Sequence, residues 1–342
     1  MSALSAKPLD EDPAAWRGED MMTRDDWRAP LTDAHRAEIA TAIDLAKQSG
    51  KNVLDLTKED FPLPTLGPYV AALNADLEGG RGFTVIEGLP GQELDDETGK
   101  IAIWGLGLYM GESAKQDGAG NLIHSVRDIG QSVDKTDNIR SYQTADPISW
   151  HNDGADVFLL YCLRTGKSGG DSRLVSAVEI FNEVARRRPD LAETLQRDYW
   201  FDTRGQRPDG ARIEVMPVYN RHNGLITANM KYRYIHTAQR FADVPRLTGR
   251  QREALQMAQD VANEPGMAME FPLKPGDILV ANNYVTFHGR TSFEDWEEAE
   301  KKRHMLRLWL TIPNGRPLPT CFKDSRIYGE AYDRRVKAQK KT

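Results

Sequence analysis

Short apolar runs separated by Gly, Pro or Asp fill the chain beyond residue 120 and most limit the folds it can adopt. They include SWHNDGADVFLLYCL, GGDSRLVSAVEIF, IEVMPVY, GMAMEFPLKPGDILVANNYVTFHGR and RHMLRLWLTIP. Apolar runs of about four to eight residues between such turn residues are typical of the strands of sandwiches and barrels. The pattern therefore predicts a mainly β fold, and helical segments interrupt or precede the strands.

Apolar residues at helical spacing predict the flanking helices. Residues 31–50 start with two candidate N-caps, Thr32 and Asp33, and end at Gly50. Similar spacing predicts helices in LGPYVAALNADLEGG, DDETGKIAIWGLGLYMG, SAVEIFNEVARRRPDLAETLQ and TGRQREALQMAQDVANEPG. The glycines of GLGLYMG lie within a helical pattern and lack the spacing of a dinucleotide-binding turn. They predict close packing of that helix.

One domain is expected for the 342 residues, because no linker or internal repeat divides them. We interpret residues 1–30 as a polar N-terminal arm on the surface, residues 120–315 as the core that carries the site, and residues 330–342 as a solvated basic tail. A net charge of −6 without a long basic block argues against a nucleic-acid partner.

The apolar runs are also too short to predict a membrane span, which needs about 18 apolar residues or more. The N-terminal residues lack the basic start and the apolar stretch of a signal peptide. Two isolated cysteines, Cys162 and Cys321, do not suggest a disulfide framework. Together these features predict a cytoplasmic protein.

Three residues that are far apart in the sequence have the side chains of a metal site. His151 and Asp153 are two residues apart, and such residues in a strand point to the same face. His288 follows the predicted strand DILVA. Two imidazoles and one carboxylate leave coordination positions open, which suits non-haem Fe(II), although zinc accepts the same ligands. A lone His-x-Asp is more often a surface pair, so this motif does not identify the site by itself.

Two arginines in the strand RHMLRLWL suggest an anion site. One face of this strand carries four side chains: Arg303, Met305, Arg307 and Trp309. Buried arginines are costly unless they contact anions, and a guanidinium group suits a carboxylate. Ser172 follows the double glycine of SGGDS and can donate its hydroxyl to an anion. The pattern leaves open an edge strand with both arginines in solvent.

Taken in order, WHND, SGGDSRLVSAVEIFNEV, PGDILVANNYVTFHGRTSFED and RHMLRLWL resemble motifs of the TauD/TfdA family of Fe(II)- and 2-oxoglutarate-dependent oxygenases. The resemblance covers roughly residues 80–315 and implies a double-stranded β-helix, or jelly-roll, core. It implies a reaction that uses Fe(II), 2-oxoglutarate and O₂ and releases succinate and CO₂. The expected substrate is a small acidic molecule, such as an amino acid, betaine or sulfonate, that is hydroxylated at an unactivated C–H bond.

The resemblance also implies roles for individual residues. It places iron on His151, Asp153 and His288. It places the distal carboxylate of 2-oxoglutarate on Arg303, with Ser172 as the hydroxyl partner at a position where the family often has Thr.

Substrate contacts are the least specific expectation. By position, Arg307 matches the arginine that meets the anionic group of the substrate in the taurine dioxygenases of the family. Gln116 lies in residues 111–130, a Gly-rich segment that is our candidate loop over the site, and Tyr142 lies beyond it. Both residues are predicted to contact the substrate. Members of the family often form dimers or tetramers, so a homo-oligomer is expected.

Two other classes of protein compete with the oxygenase. A zinc hydrolase on a β scaffold would need a general base near the metal and would have no 2-oxoglutarate site. A catalytically silent jelly-roll binding protein would have a broken ligand set. Desaturation or cyclisation remains an alternative outcome of the oxygenase reaction, whereas Asp153 argues against halogenation. The remaining histidines are assigned no ligand role: His35, His124, His222, His236 and His304.

Overall fold

A computed structural model of the protein describes residues 5–91, 93–130, 143–207, 209–313 and 315–339. Its helices are α1 Gly18–Met21, α2 Asp33–Gln48, α3 Leu66–Gly79, α4 Asp96–Met110, α5 Ala177–Arg187, α6 Pro189–Leu195, α7 Tyr232–Ala238, α8 Gly249–Ala262 and α9 Gly329–Gln339. Its strands are β1 Arg28–Pro30, β2 Phe83–Glu87, β3 Glu112–Ser113, β4 Ile123–Val126, β5 Ile148–His151, β6 Val157–Arg164, β7 Ser168–Gly169, β8 Ser172–Ser176, β9 Asp198–Asp202, β10 Ile213–Pro217, β11 Tyr219–His222, β12 Leu225–Ala228, β13 Ala268–Phe271, β14 Ile278–Asn282, β15 Thr286–Arg290, β16 Phe293–Glu294 and β17 His304–Thr311. None of these helices combines the length and the apolar character needed to cross a bilayer.

Two sheets form the core of the fold. The larger sheet has the order β1-β2-β14-β6-β17-β3, and β4 also pairs with β17. The smaller sheet has the order β13-β8-β15-β5. Neighbouring strands are antiparallel, except that β1 runs parallel to β2. The mainly β fold with flanking helices is thus confirmed.

Alternation along β17 shows how the sequence assigns side chains to layers. Met305 and Trp309 belong to the apolar cluster between the two sheets, which also contains residues of β8 and β13. Leu306 and Leu308 lie on the opposite face and pack with α2, α3 and α4. Successive residues of a strand point to opposite faces, so one run of eight residues supplies both layers. Helices α5, α6 and α8 cover the outer face of the smaller sheet.

The predicted helices are present, with one difference. Thr32 caps α2 by accepting a hydrogen bond from the backbone amide of His35. The segment predicted as one helix from residue 176 to 196 is two helices, α5 and α6. The chain breaks at Arg188, whose φ and ψ of −144° and 76° are not helical. Pro189 follows directly, and a proline disfavours helical backbone in the residue before it.

The glycines of α4 have the packing role that the sequence predicts. A Cβ atom added at Gly105 would lie 2.4 Å from the ring of Phe61. One added at Gly107 would lie 2.4 Å from a methyl group of Leu308 on β17. These glycines therefore let α4 lie close to its neighbours.

The N-terminal residues do not form the surface arm that we expected. Trp16 and Trp27 are buried in the cluster between the sheets, and β1 extends the larger sheet by pairing with β2. The sequence around these tryptophans is rich in Pro and acidic residues, so its average composition is polar. The few apolar residues that pack into the core are not evident from that average. The core accordingly begins well before residue 120.

The C-terminal residues also differ from the expected solvated tail, since residues 329–339 form α9. Arg335 is buried and its Nη2 lies 2.6 Å from Asp156 Oδ2. Asp156 is fully buried and also accepts hydrogen bonds from the hydroxyl of Tyr284 and the backbone amide of Ile312. One ion pair thus fastens the basic helix to the core.

Replacing Arg335 with Met should lower the free energy of unfolding by about 3 kcal/mol, because it leaves the Asp156 carboxylate buried without its cation. Arg334 is the matched control, since it forms partly exposed ion pairs with Glu112 and Glu330. Arg334→Met should cost no more than about 1 kcal/mol. Urea unfolding of both variants measures the difference, and equal losses would contradict the structural role of Arg335.

Candidate active site

Strands β5 and β15 bring two histidines together. His151 and His288 are register partners on these antiparallel strands, and their ring centroids are 4.2 Å apart. Asp153 follows β5, with carboxylate oxygens 4.0 Å from His151 Nε2 and 3.7 Å from His288 Nε2. The three possible ligand atoms all lie within 4.8 Å of one another. The structure therefore places the three predicted ligands in one cluster that a single ion could join.

Both imidazoles are neutral at neutral pH, and the ring of His151 is also oriented by a hydrogen bond. His151 Nδ1 lies 2.9 Å from the carbonyl oxygen of Ser149. A proton on Nδ1 would be donated to this carbonyl and leave the Nε2 lone pair facing the cluster, as in many metal sites. Burial lowers the pKa of His151, and it lowers the pKa of His288 well below its usual range, with a further contribution from His151. Neutral imidazoles at neutral pH are the form that binds metals.

The carboxylate of Asp153 is held ionised by its neighbours. Burial alone would raise its pKa, but the charge of Arg307, supported by the hydrogen bond from Trp309, outweighs that effect and lowers the pKa to about 2. Arg307 Nη1 lies 3.2 and 3.0 Å from the two carboxylate oxygens, and Trp309 Nε1 donates to one of them at 3.1 Å. These donors also fix the orientation of the carboxylate.

A cavity of about 420 Å³ opens beside this cluster. The side chain of His151 is 30% exposed, so one side of the cluster remains accessible. Aromatic residues supply much of the wall, among them Trp150, Phe201 and Tyr232. Lys231 adds a cation to the same wall. A small molecule with both apolar and charged parts would fit such a cavity.

Arg303 is a buried cation that forms no ion pair with any described residue. It is 2% exposed, and its Nη1 has no hydrogen-bond partner there. Nη2 lies 3.3 Å from Met305 Sδ, a weak acceptor, and the guanidinium carbon lies 5.1 Å from the ring centroid of Phe293. A Cβ atom added at Gly170 would lie 3.0 Å from Arg303 Nε, so glycine keeps the space beside the cation open. Ser172, two residues later, is buried as well.

A second buried arginine lies next to Arg303, and the sequence analysis missed it. Arg290 is the register partner of Ser172. Its Nη2 donates to the carbonyl oxygens of Thr144 and Asp146, whereas its Nη1 has no hydrogen-bond partner among the described residues. Burial, followed by the charge of Arg303, lowers its pKa to about 9. Its position two residues after His288 in the strand was the available signal.

The predicted substrate residues have other partners. Gln116 donates to the carbonyl oxygens of Leu122 and Arg307, and its Oε1 accepts from Arg307 Nε, all at 2.8 Å. It thereby positions Arg307, which in turn contacts Asp153. Both Gln116 and Arg307 line the cavity, so substrate contact stays a prediction for them. Tyr142 lies outside the described residues.

Residues 111–130 form a wall of the cavity and part of the larger sheet. Strands β3 and β4 both pair with β17, an arrangement that the interpretation as a loop over the site did not include. His124, to which we assigned no role, lines the cavity and lies 3.0 Å from Asp117. His304 points to the other face of β17, as predicted, and contacts Asp96 on α4.

Comparisons with known proteins match most of the length of this chain. The family profile described as "Taurine catabolism dioxygenase TauD, TfdA family" matches residues 46–309. FR-33289 synthase from Streptomyces rubellomurinus is 30% identical over 319 residues, which are 92% of this chain and 93% of that protein.

Solved structures with the same fold include an asparagine oxygenase and a non-haem iron oxygenase. An asparagine oxygenase in complex with Fe(II), 3-hydroxyasparagine and succinate is 18% identical, with a TM-score of 0.63 over 83% of this chain and 94% of that one. The oxygenase OrfP, in complex with Fe, succinate and (3S)-hydroxy-L-Arg, is 16% identical, with a TM-score of 0.61 over 83% and 94% of the two chains. This likeness confirms the jelly-roll fold. Since the family profile also covers most of the sequence, the chain belongs to the TauD/TfdA family of Fe(II)- and 2-oxoglutarate-dependent dioxygenases.

Proposed function

We propose that the protein hydroxylates a C–H bond of a small, amino-acid-like substrate, with Fe(II) held by His151, Asp153 and His288. The observation that carries this proposal is a cluster of two neutral imidazoles and one ionised carboxylate that is accessible from a cavity of about 420 Å³. Three protein ligands on one side leave room for a co-substrate and O₂ on the other.

The buried arginines support 2-oxoglutarate as the co-substrate. Arg303 and Arg290 each have a buried Nη1 atom with no hydrogen-bond partner among the described residues, and a carboxylate is the group that such a donor favours. We assign the distal carboxylate of 2-oxoglutarate to Arg303, with the hydroxyl of Ser172 beside it. A zinc hydrolase has no 2-oxoglutarate to bind, so it would give these buried cations no anionic ligand. Their presence therefore disfavours that alternative.

The protein's own residues prepare the chemistry. Bound Fe(II) supplies the activation of O₂, coupled to the conversion of 2-oxoglutarate to succinate and CO₂. Gln116 holds Arg307, and Arg307 holds the carboxylate of Asp153 in its ionised form. The aromatic residues of the cavity wall would surround a bound substrate and reduce the contact of its target carbon with water.

The substrate class is inferred from the cavity and from the solved relatives. Asparagine oxygenase and OrfP were solved with hydroxylated amino acids. The cavity of this chain combines aromatic side chains with Lys231 and Glu214, a pairing that suits a molecule with an anionic group and an amine. An amino acid or a close analogue is therefore the proposed substrate.

A cytoplasmic location and a homo-oligomeric state stay predictions. Cys162 and Cys321 are both free thiols, and Cys162 is buried. This agrees with a reducing compartment.

Anaerobic addition of Fe(II) and then 2-oxoglutarate should produce a weak visible charge-transfer band, because a 2-oxo acid that chelates Fe(II) absorbs there. Succinate, which lacks the keto oxygen, is the control ligand and should give no band. Iron binding without a band would contradict the co-substrate assignment and favour a hydrolase or a binding protein. A positive result leads to a screen of amino acids for succinate release.

A further inference from the structure

Lys231 is a basic residue of the active-site cavity whose hydrogen-bond partners carry no charge. It lies between β12 and α7 and lines the same cavity as His151 and Asp153. Its Nζ donates to Asn229 Oδ1 and to the hydroxyl of Tyr328, both at 2.9 Å. No carboxylate of a described residue forms an ion pair with this ammonium group. Its charge is therefore only partly compensated.

The surroundings of Lys231 disfavour its charge in the absence of an anion. Burial lowers its pKa to about 7, although the more distant carboxylates of Asp153 and Glu214 favour the charged form and Arg326 opposes it. A metal ion on Asp153 would weaken one of these favourable contributions. An anion bound at Nζ would replace that contribution and favour the protonated, positively charged form of Lys231.

Tyr328 fixes Lys231 relative to the metal ligands. The hydroxyl that accepts from Lys231 also lies 3.0 Å from Asn152 Nδ2 and 3.2 Å from the carbonyl oxygen of Asp153. Tyr328 is fully buried. The ammonium group is thus tied to the backbone that carries two of the three ligands, so an anion bound to it would lie at a defined distance from the metal.

Arg307, the cation that the sequence analysis selected for the substrate, is less suited to this task. Its Nη1 contacts both oxygens of Asp153 and its Nε donates to Gln116. Moving Arg307 to a substrate would remove the main cation that keeps Asp153 ionised. Lys231 can bind an anion without removing a hydrogen-bond partner from Asp153.

We propose that Lys231 binds the anionic group of the substrate and so restricts the reaction to small molecules with a carboxylate, sulfonate or phosphate group. This inference rests on the proposed function and assigns its specificity. Lys231 is accordingly a substrate-binding residue that the sequence pattern did not reveal.

The test uses protein loaded anaerobically with Fe(II) and 2-oxoglutarate, so that the co-substrate already occupies Arg303. Calorimetric titration compares the binding of four two-carbon amines. β-Alanine carries a carboxylate, taurine a sulfonate and O-phosphoethanolamine a phosphate, whereas ethanolamine carries an uncharged hydroxyl group at the same position. At least one anion should bind at least about 10-fold more tightly than ethanolamine, as expected for a charge-assisted hydrogen bond. The preferred anion identifies the head group. Lys231→Met should remove this preference, and Lys231→Arg should retain it.

Lys323→Met, at an exposed lysine outside the cavity, is the matched control and should bind like the unmodified protein. Circular dichroism establishes whether each variant is folded. If Lys231→Met does not fold, the test rests on whether Lys231→Arg retains the preference for an anion. The proposal is overturned if no anion is preferred over ethanolamine, or if the preference survives in a folded Lys231→Met variant or is lost in a folded Lys231→Arg variant.

The two proposals fail separately. If the charge-transfer band forms but the anion preference does not depend on Lys231, the oxygenase assignment stands and the anion site is wrong. If the band does not form, the same titration is made on metal-free protein. A Lys231-dependent preference there would retain the anion site and remove the 2-oxoglutarate assignment.

Discussion

Replacing His151 with Ala should abolish Fe(II)-dependent succinate release. The substitution removes an Nε2 atom that lies 4.0 Å from the carboxylate of Asp153, and it leaves only two ligands for the ion. Loss of residues that merely orient a ligand commonly costs about 10–100-fold in metal affinity or activity, so loss of the ligand itself should cost more than about 100-fold. Bound iron, measured with a colorimetric chelator after desalting, should fall together with activity.

His222→Ala is the control for this experiment. His222 ends β11, lies outside the cavity and is only partly buried. Its variant should keep both iron and activity. Full turnover in a folded His151→Ala variant would remove the ligand assignment. Loss of activity with undiminished iron binding would instead place His151 beside the reaction rather than on the metal.

Periodicity explains why the ligand cluster could be predicted from the sequence. The sequence analysis placed His151 and Asp153 on one face of a strand, whereas β5 ends at His151 and Asp153 lies in the residues that follow, still beside the two imidazoles. The third residue, His288, was found because it follows the strand of a Pro-Gly turn. What the sequence could not supply is the register, which sets His288 directly opposite His151 on the neighbouring strand.

Tertiary partners explain most of what could not be predicted. Lys231 lies in a polar stretch, and its significance arises from Asn229 and Tyr328, the second of which is about a hundred residues away in sequence. Arg335 belongs to a basic segment that resembles a solvated tail until Asp156 is seen to be buried beneath it. The role of a charged residue depends on the group that it contacts in the folded protein. That group is often distant in sequence, so the residues around the charge do not reveal it.

The same limit applies to Gln116. Its position in a Gly-rich segment suggested substrate contact, and it does line the cavity. Its amide nitrogen, however, already donates to two carbonyl oxygens, and its oxygen accepts from Arg307. Buried amide groups are usually fully hydrogen-bonded within the protein, as this one is. The structural role of Gln116 is therefore to position Arg307.

Arg303→Ala should raise the KM for 2-oxoglutarate far more than Arg307→Ala. The Arg303 guanidinium is buried with an unpartnered Nη1, so a carboxylate that binds there replaces no existing ion pair among the described residues. A hydrogen bond between charged groups contributes about 1.5–3 kcal/mol, which corresponds to about 10–100-fold in KM. Arg303→Lys should recover part of this loss, because it restores the charge without the paired geometry.

Arg307→Ala should act on the metal instead. Arg307 is the main cation that lowers the pKa of Asp153 to about 2, so its removal raises that pKa and shifts the loss of iron binding to higher pH. The sign follows because a metal requires the carboxylate and competes with protons for it. Steady-state kinetics and iron binding, measured across pH for both variants, separate the two effects. A larger rise in KM for Arg307→Ala, with unchanged iron binding, would mean that the two arginines have exchanged roles.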